Sequence, residues 1–156
     1  MITSSEIEAL FRINFNVLRY SFKDITEELA LKQPQPAGNC INWILGHILV
    51  SRDNVLELIG QDRLLTADQS EPYRRGSTAN NTNSFLKFAD LQSILKKTPK
   101  RIKEGLETLT TVDLAVLGDR DETLSYRLSF LHFHEAYHCG QIGLLRRLVG
   151  LDGVIK

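Results

Sequence analysis

The sequence has few of the residues that would place this chain outside a reducing compartment or inside a membrane. It contains two cysteines, Cys40 and Cys139, which are too few for the disulfide framework of a small secreted domain. Its longest uncharged apolar run, residues 41–51, is about half as long as a membrane-spanning helix. The N-terminus has neither the basic segment nor the apolar segment of a secretory signal. We therefore predict a cytoplasmic protein with no membrane partner.

An excess of charge of one sign is also missing. Lys plus Arg and Asp plus Glu number 19 each, so the formal net charge is zero. Nucleic-acid-binding domains usually carry a basic excess on one face, and the short basic run at residues 96–101 is typical of a solvated helix face. We therefore expect no nucleic-acid partner. An apolar content of 42% in 156 residues is enough for one globular domain, residues 1–156.

Apolar periodicity predicts an all-α protein, because helical spacing recurs in four long stretches and no alternating strand pattern competes with it. The predicted helices cover residues 4–31, 42–59, 88–109 and 123–149. Prolines follow the first helix, and a glycine follows the second and the fourth. Within the third, Pro99 either kinks the helix or begins a separate one with Thr98 as its cap. The kink is the interpretation we favour.

A polar segment of roughly twenty residues, 61–83, separates the second and third helices and is predicted to be a loop. A connection of this length can carry the chain from one end of a bundle to the other. We therefore expect a four-helix bundle with a long crossover, in which the second and third helices run parallel.

Three of the four histidines lie between residues 132 and 138. His134 and His138 are four residues apart, so their rings project from one helix face with Cβ atoms about 5–6 Å apart. That spacing suits two ligands of one metal ion, whereas His132 points about 200° away from His134. His47 lies beside the apolar stripe of the second helix and is a third candidate ligand. The alternative is three core histidines that each find a separate hydrogen-bond partner.

Residues 134–138 also match the metalloprotease pattern H-E-x-x-H, in which Glu135 would be the general base. A protease of this kind needs a third ligand downstream, and the eighteen residues after His138 contain neither Glu nor His. No strand is predicted that could hold a peptide. The metalloprotease is therefore a remote alternative, and we expect Glu135 to face solvent or to pair with a residue of another helix.

Four other residues near the histidines receive weaker predictions. Gln141 lies one turn beyond His138 and either holds a ligand or an imidazole N–H, or is a surface amide. Tyr137 and Trp43 are predicted to be packing residues. Cys139 is predicted to behave as a small buried apolar side chain.

The run at residues 134–142, His-Glu-Ala-Tyr-His-Cys-Gly-Gln-Ile, resembles the last-helix signature of the DinB/YfiT-like family. The run at residues 41–48, Ile-Asn-Trp-Ile-Leu-Gly-His-Ile, looks like the second-helix signature of the same family. The order of the helices and the long crossover also agree, so the resemblance covers essentially the whole chain. It implies a four-helix bundle with up-down-down-up connections and a three-histidine site made by His47, His134 and His138.

Members of that family bind zinc or nickel, and dimers are common among them. Its characterised enzymes include bacillithiol-using thiol transferases and mycothiol-dependent maleylpyruvate isomerases. Three imidazoles would leave an open position on the metal, where a thiol loses its proton readily. We therefore expect a homodimeric thiol S-transferase-like enzyme that acts on a small-molecule thiol and an electrophilic substrate. The alternative is a metal-binding stress or accessory protein without turnover.

Overall fold

The computed structural model describes residues 2–77, 82–118 and 120–154, and the regular secondary structure in this part of the chain is helical apart from an isolated bridge between Leu117 and Thr123. The α-helices are α1 (Ser4–Ser21), α2 (Glu27–Leu31), α3 (Ile41–Leu58), α4 (Ala67–Ser70), α5 (Phe88–Leu95), α6 (Thr98–Glu107), α7 (Thr111–Leu114) and α8 (Leu124–Leu148). None of the helices in these ranges is long and apolar enough to cross a membrane.

The second and fourth predicted helices are confirmed as α3 and α8, each within one residue at both ends. The prediction of one continuous helix over residues 4–31 is wrong. Asp24 has a positive φ of 65°, a conformation that interrupts a right-handed helix. The Thr26 side chain then accepts a hydrogen bond from the backbone N–H of Leu29 and caps α2. The apolar spacing continues across this break, so the spacing alone did not show that the helix ends there.

The predicted kink at Pro99 is also wrong, because α5 and α6 are separate helices. Pro99 has no N–H to donate to the carbonyl of Leu95, four residues earlier. The hydroxyl of Thr98 donates to that carbonyl instead, at 2.8 Å. Thr98 is therefore the first residue of α6, and its hydroxyl satisfies a carbonyl at the end of α5. If α6 was a separate helix, the predicted role of Thr98 was to be its N-terminal cap.

The segment between α3 and α5 has more structure than the predicted loop. A capping box between Thr66 and Gln69 begins α4, and 3₁₀ turns cover Glu71–Tyr73 and Thr82–Ser84. Tyr73 is buried against α3, where a Cβ on Gly46 would lie 2.2 Å from the nearest ring carbon. The connection is therefore fastened to α3, next to the helix turn that carries His47.

Helix α8 packs between α1 and α3. It runs parallel to α1, because the Asn14 amide donates to the carbonyl of His132 while Arg146, further along α8, donates to the carbonyl of Ser21 near the end of α1. Helix α3 runs in the opposite direction, because Ile41 at its start shares a core cluster with Leu145 near the end of α8, and Val55 near its end shares the other cluster with Leu128 near the start of α8. The middle of α3 therefore lies beside the middle of α8, where Arg52 pairs with Glu135.

Helix α3 also packs against α5 and α6. Near its start the Asn42 amide donates to the carbonyl of Leu86, and past its end the Ile59 side chain contacts Gly105. Helix α3 and the α5–α6 pair therefore run parallel. Leu, Ile and Phe side chains from these elements fill the space between them.

Candidate metal centre

The antiparallel packing of α3 and α8 brings three histidines together. His47 Nε2 lies 3.3 Å from His134 Nε2, and His138 Nε2 lies 3.1 Å from the same atom. One ring nitrogen of each histidine lies within 4.8 Å of the others. The cluster predicted from sequence is therefore present as geometry, with His138 buried and the other two rings partly exposed.

The outer nitrogens of two rings fix their tautomers. His47 Nδ1 lies 2.7 Å from the backbone carbonyl of Tyr73, and His138 Nδ1 lies 2.7 Å from Gln141 Oε1. Both partners are acceptors, so each Nδ1 carries the proton and each Nε2 presents a lone pair. Both lone pairs point to His134, whose neutral ring has at most one N–H to offer. At least one of these lone pairs therefore lacks a donor among the three rings.

A divalent cation fits this donor set. Tetrahedral coordination with metal–nitrogen bonds of about 2.0–2.1 Å places neighbouring nitrogens roughly 3.3 Å apart, close to the two separations given above. An ion would satisfy all three lone pairs at once, and the Nδ1 hydrogen bonds of His47 and His138 would fix their ring orientations.

Electrostatics keep these imidazoles neutral, the form that a metal requires. Burial lowers the pKa of His134 to about 4, and repulsion by His138, His47 and Arg75 adds to that effect. Burial is also the main cause that lowers the pKa of His47 and of His138. At neutral pH, therefore, no proton has to leave before a cation binds.

Two residues that the sequence analysis did not assign to the site support the rings. Trp43 stacks on His47 with ring centroids 4.8 Å apart, and its Nε1 donates to the carbonyl of Pro72. Ser51 Oγ lies 3.4 Å from His134 Nδ1. Each is four residues from His47 on α3, so the i, i+4 rule would have placed both of them on the face that carries His47.

Glu135 does not face the histidine cluster. Its carboxylate accepts hydrogen bonds from Nη2 and Nε of Arg52 at 2.7 and 2.8 Å, and both side chains are 1% exposed. The solvent-facing alternative for Glu135 is therefore wrong, while a partner on another helix is found. Because the carboxylate is held by Arg52 inside the protein, the structure does not favour its use as the general base of a metalloprotease.

The other weak predictions have mixed outcomes. Cys139 is buried, as expected, and burial raises the pKa of its thiol to about 12. Trp43 is buried and packs, as predicted. Tyr137 is 59% exposed, so its prediction as a packing residue is wrong. It lies on the outer side of α8, where its hydroxyl accepts a hydrogen bond from Gln141 Nε2.

Comparison with known proteins identifies the family of this chain and a solved structure that shares its fold. The family model of the DinB superfamily matches residues 10–142. The chain belongs to the DinB superfamily. A solved structure, described as a conserved protein from Enterococcus faecalis, superposes with a TM-score of 0.75 over 96% of this chain and 98% of that chain, at 17% identity. At that identity the match shows a shared fold. No curated protein matches.

Membership of the DinB superfamily and the three-histidine cluster are together compatible with binding of a divalent metal. The matched region begins within α1 and ends within α8, so it includes every residue of the cluster. His132, the fourth histidine, stays apart from the cluster and packs edge-on against Phe11 at 5.7 Å.

Proposed function

We propose that this protein binds one divalent ion, zinc or nickel, through Nε2 of His47, His134 and His138. The observation that carries the proposal is the convergence of these nitrogens, with two tautomers fixed so that their lone pairs meet. Gln141 then acts as an outer partner that orients His138. A three-nitrogen set leaves at least one coordination position open, as in catalytic sites.

We further propose that the bound ion serves transfer of a small-molecule thiol to an electrophilic substrate. When bound, such an ion stabilises a thiolate, the nucleophilic form of a thiol. The thiol sulfur would form a bond to an electrophilic carbon, the bond from that carbon to its leaving group would break with its electron pair, and the thiol proton would pass to solvent. The partial exposure of His47 and His134 supports access of small molecules to the site.

Metal content of untagged protein tests the first proposal. After incubation with zinc or nickel and removal of excess, we expect about one ion per chain by mass spectrometry, and a loss of that ion in His138→Ala. His132→Ala is the matched control, because it removes an imidazole from the same helix outside the cluster. Wild-type protein that retains no metal, or equal loss in both variants, would overturn the metal site.

We also propose that the whole chain is one domain of four-helix-bundle type, in which α5 and α6 together form the third helix. The parallel pair α1 and α8 and the opposite pair α3 and α5–α6 support up-down-down-up connections. A cytoplasmic location, where low-molecular-weight thiols are abundant and reduced, agrees with the two free cysteines.

A homodimer is supported by the outer face of α8. Six large apolar side chains spaced at three, four or seven residues form one stripe that we call the α8 stripe: Tyr126, Phe130, Phe133, Tyr137, Leu144 and Leu148. Each is 54–64% exposed, so the stripe offers roughly 600–700 Å² if each side chain has about 200 Å² in total. That approaches the about 800 Å² that one partner contributes to a standard interface. We propose that a second copy of this chain covers the α8 stripe.

Sedimentation analysis of Phe133→Asp tests the dimer. We expect the wild type to sediment as a dimer and the variant as a monomer, because a carboxylate in the centre of the interface would be buried without a partner. Val112→Asp is the control, since Val112 is 74% exposed but lies on α7, outside the stripe. A monomeric wild type would refute the proposed dimer.

A further inference from the structure

A groove of about 530 Å³ lies between α3 and α8, on the same side as the histidine cluster. Its α3 bank includes Asn54 and Leu58, which follow His47 by seven and eleven residues and share its helix face. Its α8 bank includes Phe130 and Arg127, which precede His134 by four and seven residues. The groove therefore continues the space between the two helices away from the histidines.

The far end of this groove carries positive charge. Arg127 and Arg120 line it, and among the described residues neither of them makes an ion pair. Two carboxylates also line the groove, but Glu57 is held by Arg63 through contacts of 2.6 Å. The remaining carboxylate, on Glu122, balances one of the two guanidiniums without an ion pair. One positive charge in the groove is therefore left without a counter-charge.

A glycine lies beside one of the two guanidiniums. Gly118 lies against Arg127, where an added Cβ would be 3.1 Å from Nη1. The backbone N–H of Gly118 donates to the carbonyl of Glu122 and closes the turn beside it. The absence of a side chain at residue 118 thus leaves room for Arg127 beside the groove.

The distance between the histidine cluster and the guanidiniums sets the length of a ligand that could reach both. Seven residues of helix correspond to about 10 Å along the axis, so Arg127 lies roughly that far from His134. Between them the groove wall is formed by Leu131, with Phe130 at the edge shared with the α8 stripe, and these side chains suit an uncharged apolar chain. A planar guanidinium fork matches the geometry of a carboxylate.

We propose that this groove binds the carboxylate end of the thiol cosubstrate, with its sulfur about 10 Å away at the histidine cluster. This inference rests on the proposed thiol-transfer function and adds the substrate class, an extended thiol that ends in a carboxylate. Arg127 and Arg120 would bind that carboxylate, and Leu131 would contact the chain between the two ends.

Two synthetic thiols of equal length test the inference on protein loaded with cobalt(II), whose sulfur-to-metal absorption band reports thiol coordination. The probes are 8-mercaptooctanoate and 8-mercapto-1-octanol, which differ only at the far end. We expect the acid to bind about tenfold more tightly than the alcohol, as one charge-assisted contact predicts. The double variant Arg120→Gln/Arg127→Gln should abolish this preference and leave binding of the alcohol unchanged. Arg12→Gln on α1 is the control for removal of a surface guanidinium.

The two proposals fail in different ways in this experiment. If both thiols give the absorption band with equal affinity, or if the double variant keeps the preference, the carboxylate groove is wrong and the thiol function stands. If neither thiol gives the band on cobalt-loaded protein, the thiol function fails and the groove assignment is overturned with it.

Discussion

The buried ion pair between Arg52 and Glu135 predicts a large loss of stability when one partner is neutralised. Glu135→Gln keeps the size and shape of the side chain but leaves the Arg52 guanidinium without a counter-charge. Removing one member of a buried pair typically costs about 3–5 kcal/mol. Both side chains are 1% exposed, so solvent cannot replace the lost carboxylate. We therefore expect Glu135→Gln to lower the free energy of unfolding by an amount in this range.

An exposed ion pair in the same protein supplies the matched control. Arg63 and Glu57 make a contact of 2.6 Å, as short as the buried pair, but their side chains are 42% and 50% exposed. Exposed pairs contribute about 0.2–1 kcal/mol. Glu57→Gln is the same chemical change at nearly the same distance, so burial is the main variable between the two substitutions.

Urea unfolding in the presence of a chelator measures both free energies without interference from metal binding. With a slope of roughly 2 kcal/mol per molar urea, Glu135→Gln should lower the unfolding midpoint by about 1.5–2.5 M and Glu57→Gln by less than about 0.5 M. Replacing both partners, in Arg52→Met/Glu135→Leu, should recover most of the loss because no buried charge remains. Equal midpoints for Glu135→Gln and Glu57→Gln would refute the reasoning.

Three further predictions follow from buried groups. Cys139, with its thiol pKa raised to about 12 by burial, should react with a disulfide reagent at pH 8 at least about a hundredfold more slowly in native protein than in urea, because so little thiolate is present. Burial raises the pKa of Tyr73 to about 12, so folded protein keeps a proton that the unfolded chain loses above pH 10. Stability should therefore fall between pH 10 and 12 by about 2–3 kcal/mol, and Tyr73→Phe should flatten this decline in urea titrations. Gly46→Ala should destabilise the protein, because its Cβ would lie 2.2 Å from the Tyr73 ring, whereas Gly143→Ala, with nothing within 4 Å, should stabilise it by up to about 1 kcal/mol in thermal unfolding.

Long helices with uninterrupted apolar spacing were predictable from the sequence, while their breaks were not. Helices α3 and α8 have no internal Pro and were predicted within a residue at each end. The break after α1 depends on one residue, Asp24, in a left-handed conformation, which the surrounding apolar spacing hides. A local signal was present, however, because Thr26 followed by Glu27 and Glu28 is typical of a helix N-terminus.

The histidine cluster was predictable in two unequal parts. His134 and His138 follow from i, i+4 spacing on an apolar face. His47 depends on how α3 packs against α8, and only its position beside an apolar stripe and the family resemblance indicated it. The hydrogen bond from His47 to the Tyr73 carbonyl depends on the fold of the α3–α5 connection, which the sequence represents only as a polar segment. The tautomers, and with them the argument for a cation, therefore needed the three-dimensional structure.

Glu135 shows that a motif and a periodicity can point to different chemistry in the same residues. The letters at 134–138 match H-E-x-x-H, but Glu135 lies seven residues after Leu128 and seven before Ile142, both of which are in the core. Two helical turns return nearly to the same face, so this spacing places Glu135 on the core side, about 100° from the face of His134. A buried carboxylate needs a cation, and Arg52 on α3 supplies it. The periodicity thus indicated that Glu135 faces the core, where it pairs with α3. The motif alone would have indicated a general base beside the metal.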